Sequence, residues 1–339
     1  MIGIGLVGYG YWGPNLARNF SRQPDCSLVA ICDSDAKKAE QAALAYPGAE
    51  IVDDFEKLAR NPGIDAVAIA TPVSSHYPLA KLALEEGKDV LLEKPFTRTS
   101  NEARELIDIA RKNGRIIAVD HTFLYTGAVR KMKELVDSGE IGDLIYIDSV
   151  RVNLGLFQQD VNVIYDLAPH DISIAQFLIG RDPVSVQAVG ACHEDSDMEY
   201  LAYIHLEYEG GLQAHFHMNW LSPVKVRRTM IAGGNKMIVY DDMEPSEKVK
   251  VYDKGIDIRR GDSMSLYKIY VDYRTGDMVA PKIEQKEALA LEAEHFLDCV
   301  RDRKTPLTDA RQGLSVVRII EAAQISIDNG GKKVNLENV

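Results

Sequence analysis

From Ile2 to Val119 short apolar runs alternate with longer amphipathic stretches. The runs Ile4–Val7, Leu28–Ile31, Ala66–Ala70, Val90–Leu92 and Ile116–Val119 lack polar alternation, as expected of strands covered by helices on both faces. Each gives way to a glycine, an acid or a proline. The pattern predicts a doubly wound α/β domain whose parallel strands present a ligand crevice at their carboxyl ends. Thr99 and Glu102 have capping-box spacing ahead of Leu106, Ile107 and Ala110, so a helix is expected over 100–112.

Past about residue 125 the period changes. Leu212, Ala214, Phe216, Met218 and Trp220 alternate with Gln213, His215, His217 and Asn219, the period of a half-buried antiparallel strand. Ala202, Ile204, Leu206 and Tyr208 repeat it before the turn Glu209-Gly210-Gly211. Helical spacing returns at Leu289, Ala293, Phe296 and Val300, and again from about Ala310 to the stop at Gly330-Gly331. The second half therefore predicts an α+β domain with a large, mainly antiparallel sheet. The stretch from about 243 to 284 is polar and poorly periodic, and its elements are left open.

Composition changes this picture mainly by exclusion. The 339 residues carry 39 basic and 51 acidic side chains, a formal charge of −12, so no global positive field exists to hold nucleic acid or an anionic membrane. Cys26, Cys32, Cys192 and Cys299 show neither C-x-x-C spacing nor disulfide-scaffold density. The opening residues lack a charged segment followed by an apolar one, and no run approaches the ~20 apolar residues of a bilayer span. A reducing, cytoplasmic setting is the expectation.

Gly8-Tyr9-Gly10-Tyr11-Trp12-Gly13 follows the first strand directly and precedes Pro14, a good first helical residue. In that context the glycines serve a tight turn, a close approach to a pyrophosphate, and close packing of helix on strand, with the helix N-terminus facing the phosphates. Asp33 stands 20 residues past Gly13 at the end of the second strand. There its carboxylate would take the adenosine ribose hydroxyls and repel a 2′-phosphate. It also has the chemistry to cap the next helix, although Asp35 is better placed for that. The expectation is NAD, held by a Rossmann domain over residues 1–122, with residues 123–339 forming the substrate-binding and oligomerisation domain. Tyr11, Trp12, Thr71, Pro72, His76 and Glu93 complete the candidate cofactor residues; His76 reads equally well as a packing residue.

Glu93-Lys94-Pro95 ends the Val90–Leu92 run at the same sheet edge, and Asp166-Leu167-Ala168-Pro169-His170-Asp171 comes later. With the glycine fingerprint, these motifs and their order make the chain resemble the Gfo/Idh/MocA oxidoreductase family along nearly its whole length. The resemblance implies that Lys94 lies between nicotinamide and substrate, that Pro95 follows a cis peptide bond as in several relatives, and that His170 is the acid-base residue with Asp166 one turn before it. The chemistry of the residues agrees: an ammonium stabilises an oxygen losing its proton, and a neutral imidazole suits an alcohol near neutral pH. Pro169 suggests a helix beginning near Ala168, with His170 in its first turn.

Within the family, Asp120–Tyr125, Arg151–Gly155 and the Asp166–Asp171 motif look most like nucleotide-sugar dehydrogenases, the UDP-N-acetylglucosamine 3-dehydrogenases above all. That resemblance implies oxidation of the C3 hydroxyl to a ketone, with a sugar aminotransferase as a functional partner. Arg151 then pairs with a diphosphate, Asn153 bonds hexose hydroxyls, and Phe123 or Tyr125 packs on a ring, although each reads equally as ordinary core. Other sugars, an inositol, an NAD-dependent glycosidase and a non-enzymatic sensor are the competing readings. His205, His215 and His217 lack a flanking carboxylate or cysteine, so no metal is expected. In relatives this sheet face joins subunits, which implies a homodimer or homotetramer.

Overall fold

The computed structural model describes residues 1–155, 160–192, 198–260 and 269–339. Its first half runs β1 (Ile2–Val7), α1 (Gly13–Ser21), β2 (Cys26–Cys32), α2 (Ala36–Ala45), β3 (Glu50–Val52) and α3 (Phe55–Arg60). It continues through β4 (Ala66–Ile69), α4 (Val73–Glu85), β5 (Asp89–Glu93), α5 (Ser100–Asn113) and β6 (Ile117–Asp120). The strands pair in the order β3-β2-β1-β4-β5-β6, all in parallel. The five apolar runs are five of these strands. Thr99 and Glu102 make the reciprocal capping box at the start of α5, and Asp35 caps α2.

A short 3-10 turn, Thr122–Tyr125, leads into α6 (Gly127–Asp137), β7 (Leu144–Leu154), α7 (Val163–Ile179), β8 (Ser185–Cys192), β9 (Glu199–Glu207), β10 (Gln213–Asn219) and β11 (Leu221–Gly233). Then come β12 (Met237–Asp241), β13 (Val249–Tyr252), β14 (Gly255–Arg260), β15 (Ile269–Arg274) and β16 (Met278–Val279). The chain closes with α8 (Ala288–Asp302), α9 (Ala310–Asp328) and β17 (Val334–Asn335). Nine described strands form one sheet, β16-β13-β12-β11-β7-β10-β9-β8-β17. It is mixed: β10 is antiparallel to β9, as the alternation suggests, but parallel to β7. Leu212, Ala214, Phe216, Met218 and Trp220 all face the core.

One sequence expectation changes, and one open stretch is filled. α7 begins at Val163, where the Asn162 side chain caps it, so Pro169 lies inside the helix and His170 in its second turn. The polar stretch 243–284 holds β13, β16 and the separate β14-β15 pair.

The last helices cross back onto the first half. Leu289, Phe296 and Val300 of α8 share a core with Leu16 and Phe20 of α1, and the rings of Phe20 and Phe296 meet edge to face at 6.3 Å. α9 lies so close to β6 that a Cβ on Gly313 would stand 2.7 Å from Val119. No helix among the described residues is long and apolar enough to cross a membrane.

Candidate active site

A cleft of about 690 Å³ follows the carboxyl edge of the parallel sheet, lined by Gly8, Gly10, Tyr11, Trp12, Asp33, Lys38, Thr71, Pro72, Glu93 and Lys94, with Tyr165 and Asp166 of α7 opposite. Gly8 has φ +87°, and a Cβ on Gly13 would stand 2.0 Å from the Gly8 carbonyl oxygen; the first glycine is required by the turn and the third by helix packing. Gly10 is different. Its missing side chain leaves open space, with Lys38 Nζ the nearest atom at 3.7 Å. Trp12 supplies no side-chain cap to α1, so the first-turn N–H groups lack a side-chain acceptor. Open backbone, an uncapped helix N-terminus and a neighbouring ammonium are what a pyrophosphate requires, and the residues present fit a dinucleotide.

Asp33 lines the same cleft while its oxygens accept from the backbone N–H groups of Tyr9 at 2.6 Å and Asp35 at 2.8 Å. Its carboxylate is thereby aimed by the backbone. Lys38, in the first turn of α2, is a cleft cation that sequence spacing did not single out; its place five residues past Asp33 was the available signal. Tyr11 sits on the rim, 85% exposed. Thr71 and Pro72 line the wall between β4 and α4. His76 corrects an expectation: it is wholly buried, with its ring nitrogens 2.9 Å from the carbonyl oxygens of Pro95 and Thr71. It braces the backbone under the cleft.

The peptide bond between Lys94 and Pro95 is cis. Lys94 Nζ donates to the backbone oxygen of Asp166 at 2.7 Å and reaches Asp166 Oδ1 at 3.3 Å, while Trp220 Nε1 donates to Asp166 Oδ2 at 3.0 Å. The two halves of the chain are thus joined at the ammonium. His170 is half-buried, with its Nδ1 out of solvent and lacking a partner, and Phe123 packs edge-on against its ring at 5.1 Å. Burial first, then the positive charges of Lys94 and Arg151, hold the His170 imidazole well below its ordinary pKa. The imidazole is therefore neutral near pH 7.

Arg151 does not face a diphosphate. It is 3% exposed, and its Nε and Nη2 donate to Asp171 at 2.8 and 2.9 Å. Its guanidinium also covers the Phe123 ring at 4.7 Å. A buried guanidinium is tolerable only when so paired. Tyr125 likewise leaves the site: its ring lies beside His295 at 5.6 Å and its hydroxyl is 3.4 Å from Thr308 Oγ1. Asn153 is half-buried, on the same side of β7 as Arg151.

Two residues near His170 escaped sequence reasoning. His121, 1% exposed, has both ring nitrogens unpartnered, and burial pushes its pKa down to about 4. Arg227 stands directly across from Arg151 in the β7-β11 pair. Its Nε is buried without a partner, its Nη1 is 3.4 Å from Asp242 Oδ2, and its charge acts on His170. A sheet register so far in sequence from the Asp166–Asp171 motif gives no sequence signal. Among the described residues no group of histidines, cysteines and carboxylates could hold a metal ion.

Residues 2–121 match the family described as "Oxidoreductase family, NAD-binding Rossmann fold", and residues 129–239 match its C-terminal domain. The chain is 30% identical to the uncharacterized oxidoreductase YdgJ of Escherichia coli (strain K12), over 77% of this chain and 79% of that one. It is 27% identical to the scyllo-inositol 2-dehydrogenase (NAD(+)) of Bacillus subtilis (strain 168), over 97% and 94%. The UDP-N-acetylglucosamine 3-dehydrogenase of Acidithiobacillus ferrooxidans is 24% identical over 96% of each chain. Its solved structure shares the fold, with a TM-score of 0.82 at 22% identity over 97% of this chain and 98% of that one. The chain therefore belongs to the Gfo/Idh/MocA family of oxidoreductases, with an NAD-binding Rossmann fold followed by the family's C-terminal domain.

Proposed function

We infer that the protein oxidises a secondary hydroxyl of a nucleotide-linked sugar, namely C3 of UDP-N-acetylglucosamine, to the ketone. The observation that carries the chemistry is a neutral, half-buried His170 beside a Lys94 ammonium that Asp166 holds at the cleft. Bound in the cleft, NAD supplies the hydride acceptor. His170 takes the hydroxyl proton at an imidazole nitrogen, and Lys94 Nζ donates a hydrogen bond to the oxygen as it becomes a carbonyl. Asp166 and Trp220 fix where that ammonium stands. Phe123 and Asn153 belong to the sugar pocket.

Arg227 favours an anionic substrate over a neutral cyclitol. With Arg151 committed to Asp171, Arg227 is a cation beside the base whose donors are incompletely used, and a diphosphate takes such donors well. A 3-keto product would suit an amino-group transfer as the next step. Incubation with NAD and a panel of UDP-sugars, dTDP-sugars and inositols, followed by reduced-nicotinamide absorbance, tests the reading. Reduction with UDP-N-acetylglucosamine and a 3-keto product by mass spectrometry is expected; turnover of inositols alone overturns the substrate.

The outer face of the mixed sheet completes the proposal as a contact between copies of this chain. Tyr203 stacks on His217 at 4.5 Å and on His215 at 6.0 Å there, an amphipathic surface suited to an isologous interface. Light scattering should show a dimer or tetramer that Tyr203→Asp dissociates.

A further inference from the structure

Three carboxyl groups that the hydride-transfer chemistry leaves unused meet behind Lys94. Glu93 ends β5, Asp120 ends β6 in register with it, and Glu292 comes from α8. Asp120 and Glu292 are 2% and 1% exposed. The two oxygens of Asp120 are both taken: Oδ2 accepts from Trp12 Nε1 at 2.6 Å, and Oδ1 accepts from the Thr122 hydroxyl. By contrast, Glu93 Oε2 and both oxygens of Glu292 are buried without a donor. Ionised carboxylates in that position would face Asp120 and one another, with the Lys94 ammonium at Glu93 and the Thr122 hydroxyl at Glu292 the opposing influences. One proton on each glutamate converts the repulsion into hydrogen bonds directed at Asp120.

We propose that Glu93, Asp120 and Glu292 act as one positioning unit holding two protons and one negative charge, which grips the Trp12 indole and so fixes the cleft wall between the glycine loop and Lys94. The charges around the unit fit that count. Burial, and then Asp120, raise both glutamic acids well above the usual carboxylate range. Lys94 and Asp166 face Glu93, and His121 flanks Asp120. Three ionised groups would pull the Lys94 ammonium away from the substrate oxygen, whereas three neutral ones would weaken the hold on Trp12. Because Glu292 lies on α8, the NAD wall is set partly by a helix nearly 280 residues away in sequence from the loop it steadies. The inference rests on NAD filling the cleft and not on the identity of the sugar.

Infrared spectroscopy of the cofactor-free protein at pH 7 tests the protons, and calorimetric titration with NAD tests the grip. A carboxylic-acid carbonyl band is expected in the parent and is expected to weaken in Glu292→Gln. Asp120→Asn should bind NAD about tenfold more weakly, since an amide cannot accept on both sides. Glu292→Ala should show a similar loss, and Glu292→Gln, which mimics the protonated acid, should restore affinity to within about twofold. Absence of the acid band, a band indifferent to Glu292→Gln, or equal NAD affinity in Glu292→Ala and Glu292→Gln overturns the proposal, whether or not Asp120→Asn folds.

Discussion

Asp166 and His170 stand one turn apart on α7, yet the carboxylate is engaged by Lys94 and Trp220 and the imidazole Nδ1 is left without a partner. Asp166 therefore serves the ammonium, and the imidazole is tuned by burial and cations. Replacing His170 with asparagine should lower kcat by about 10²–10⁴-fold, the usual contribution of a general base. NAD affinity by calorimetry should stay within about twofold. An undiminished kcat would remove the residue from the scheme.

The same environment sets a pH profile. Burial, Lys94 and Arg151 depress the His170 pKa, so the imidazole remains unprotonated on the acid side of its ordinary range. The acid limb of kcat/KM should lie on the acid side of a free imidazole's, and Arg227→Met, which removes one contributing cation, should move it upward. A limb at the pKa of free imidazole, about 6.5, in the parent would contradict the geometry.

Arg151 and Asp171 hold β7 to α7 from inside the core. Removing one partner leaves a buried charge, so Arg151→Met or Asp171→Asn should cost about 3–5 kcal/mol in urea unfolding. The double variant Arg151→Met/Asp171→Asn should cost clearly less than the sum. Additive losses would show that the pair is not coupled.

Asp33 and Lys38 oppose each other in cofactor choice. The Asp33 carboxylate repels a 2′-phosphate, while Lys38 lines the same cleft with a positive charge. The parent should prefer NAD, and Asp33→Asn, which removes the charge and keeps an acceptor for one of the Tyr9 and Asp35 amides, should reduce the NAD-to-NADP preference about tenfold, the worth of one charge-assisted contact. Titration of both cofactors reads the ratio.

Glu292 makes stability depend on pH. Its folded pKa is raised above the unfolded value, so its contribution is full below about pH 4.5 and is lost as pH rises toward the folded pKa. Glu292→Gln lacks that loss. Its stability relative to the parent should grow by about 1.4 kcal/mol per pH unit over that window, measured by urea unfolding at several pH values.

Much of this was written locally in the chain. Unbroken apolar runs marked five of the six parallel strands, and the Thr99–Glu102 spacing marked α5. β3 escaped because it is three residues long and opens on an exposed Glu50. Pro169 misled because a proline at a helix start and one tolerated inside a buried helix look alike in sequence, and Asn162 capped α7 earlier. The glycine turn, Lys94 and the His170 segment were readable from motifs. Arg151 was not, since whether a strand arginine faces a ligand or a buried aspartate depends on a helix packed from elsewhere. Arg227 and Glu292 reach the site only through sheet register and the return of α8.

That return constrains any exchange of parts. Cutting at residue 122 and grafting a foreign substrate half would strip the recipient's nucleotide-binding half of Leu289, Phe296 and Val300, leaving α1 with an apolar flank facing water. Recombinants that carry over the recipient's own segment 288–302 keep that flank covered, so the workable crossover lies in two places rather than one.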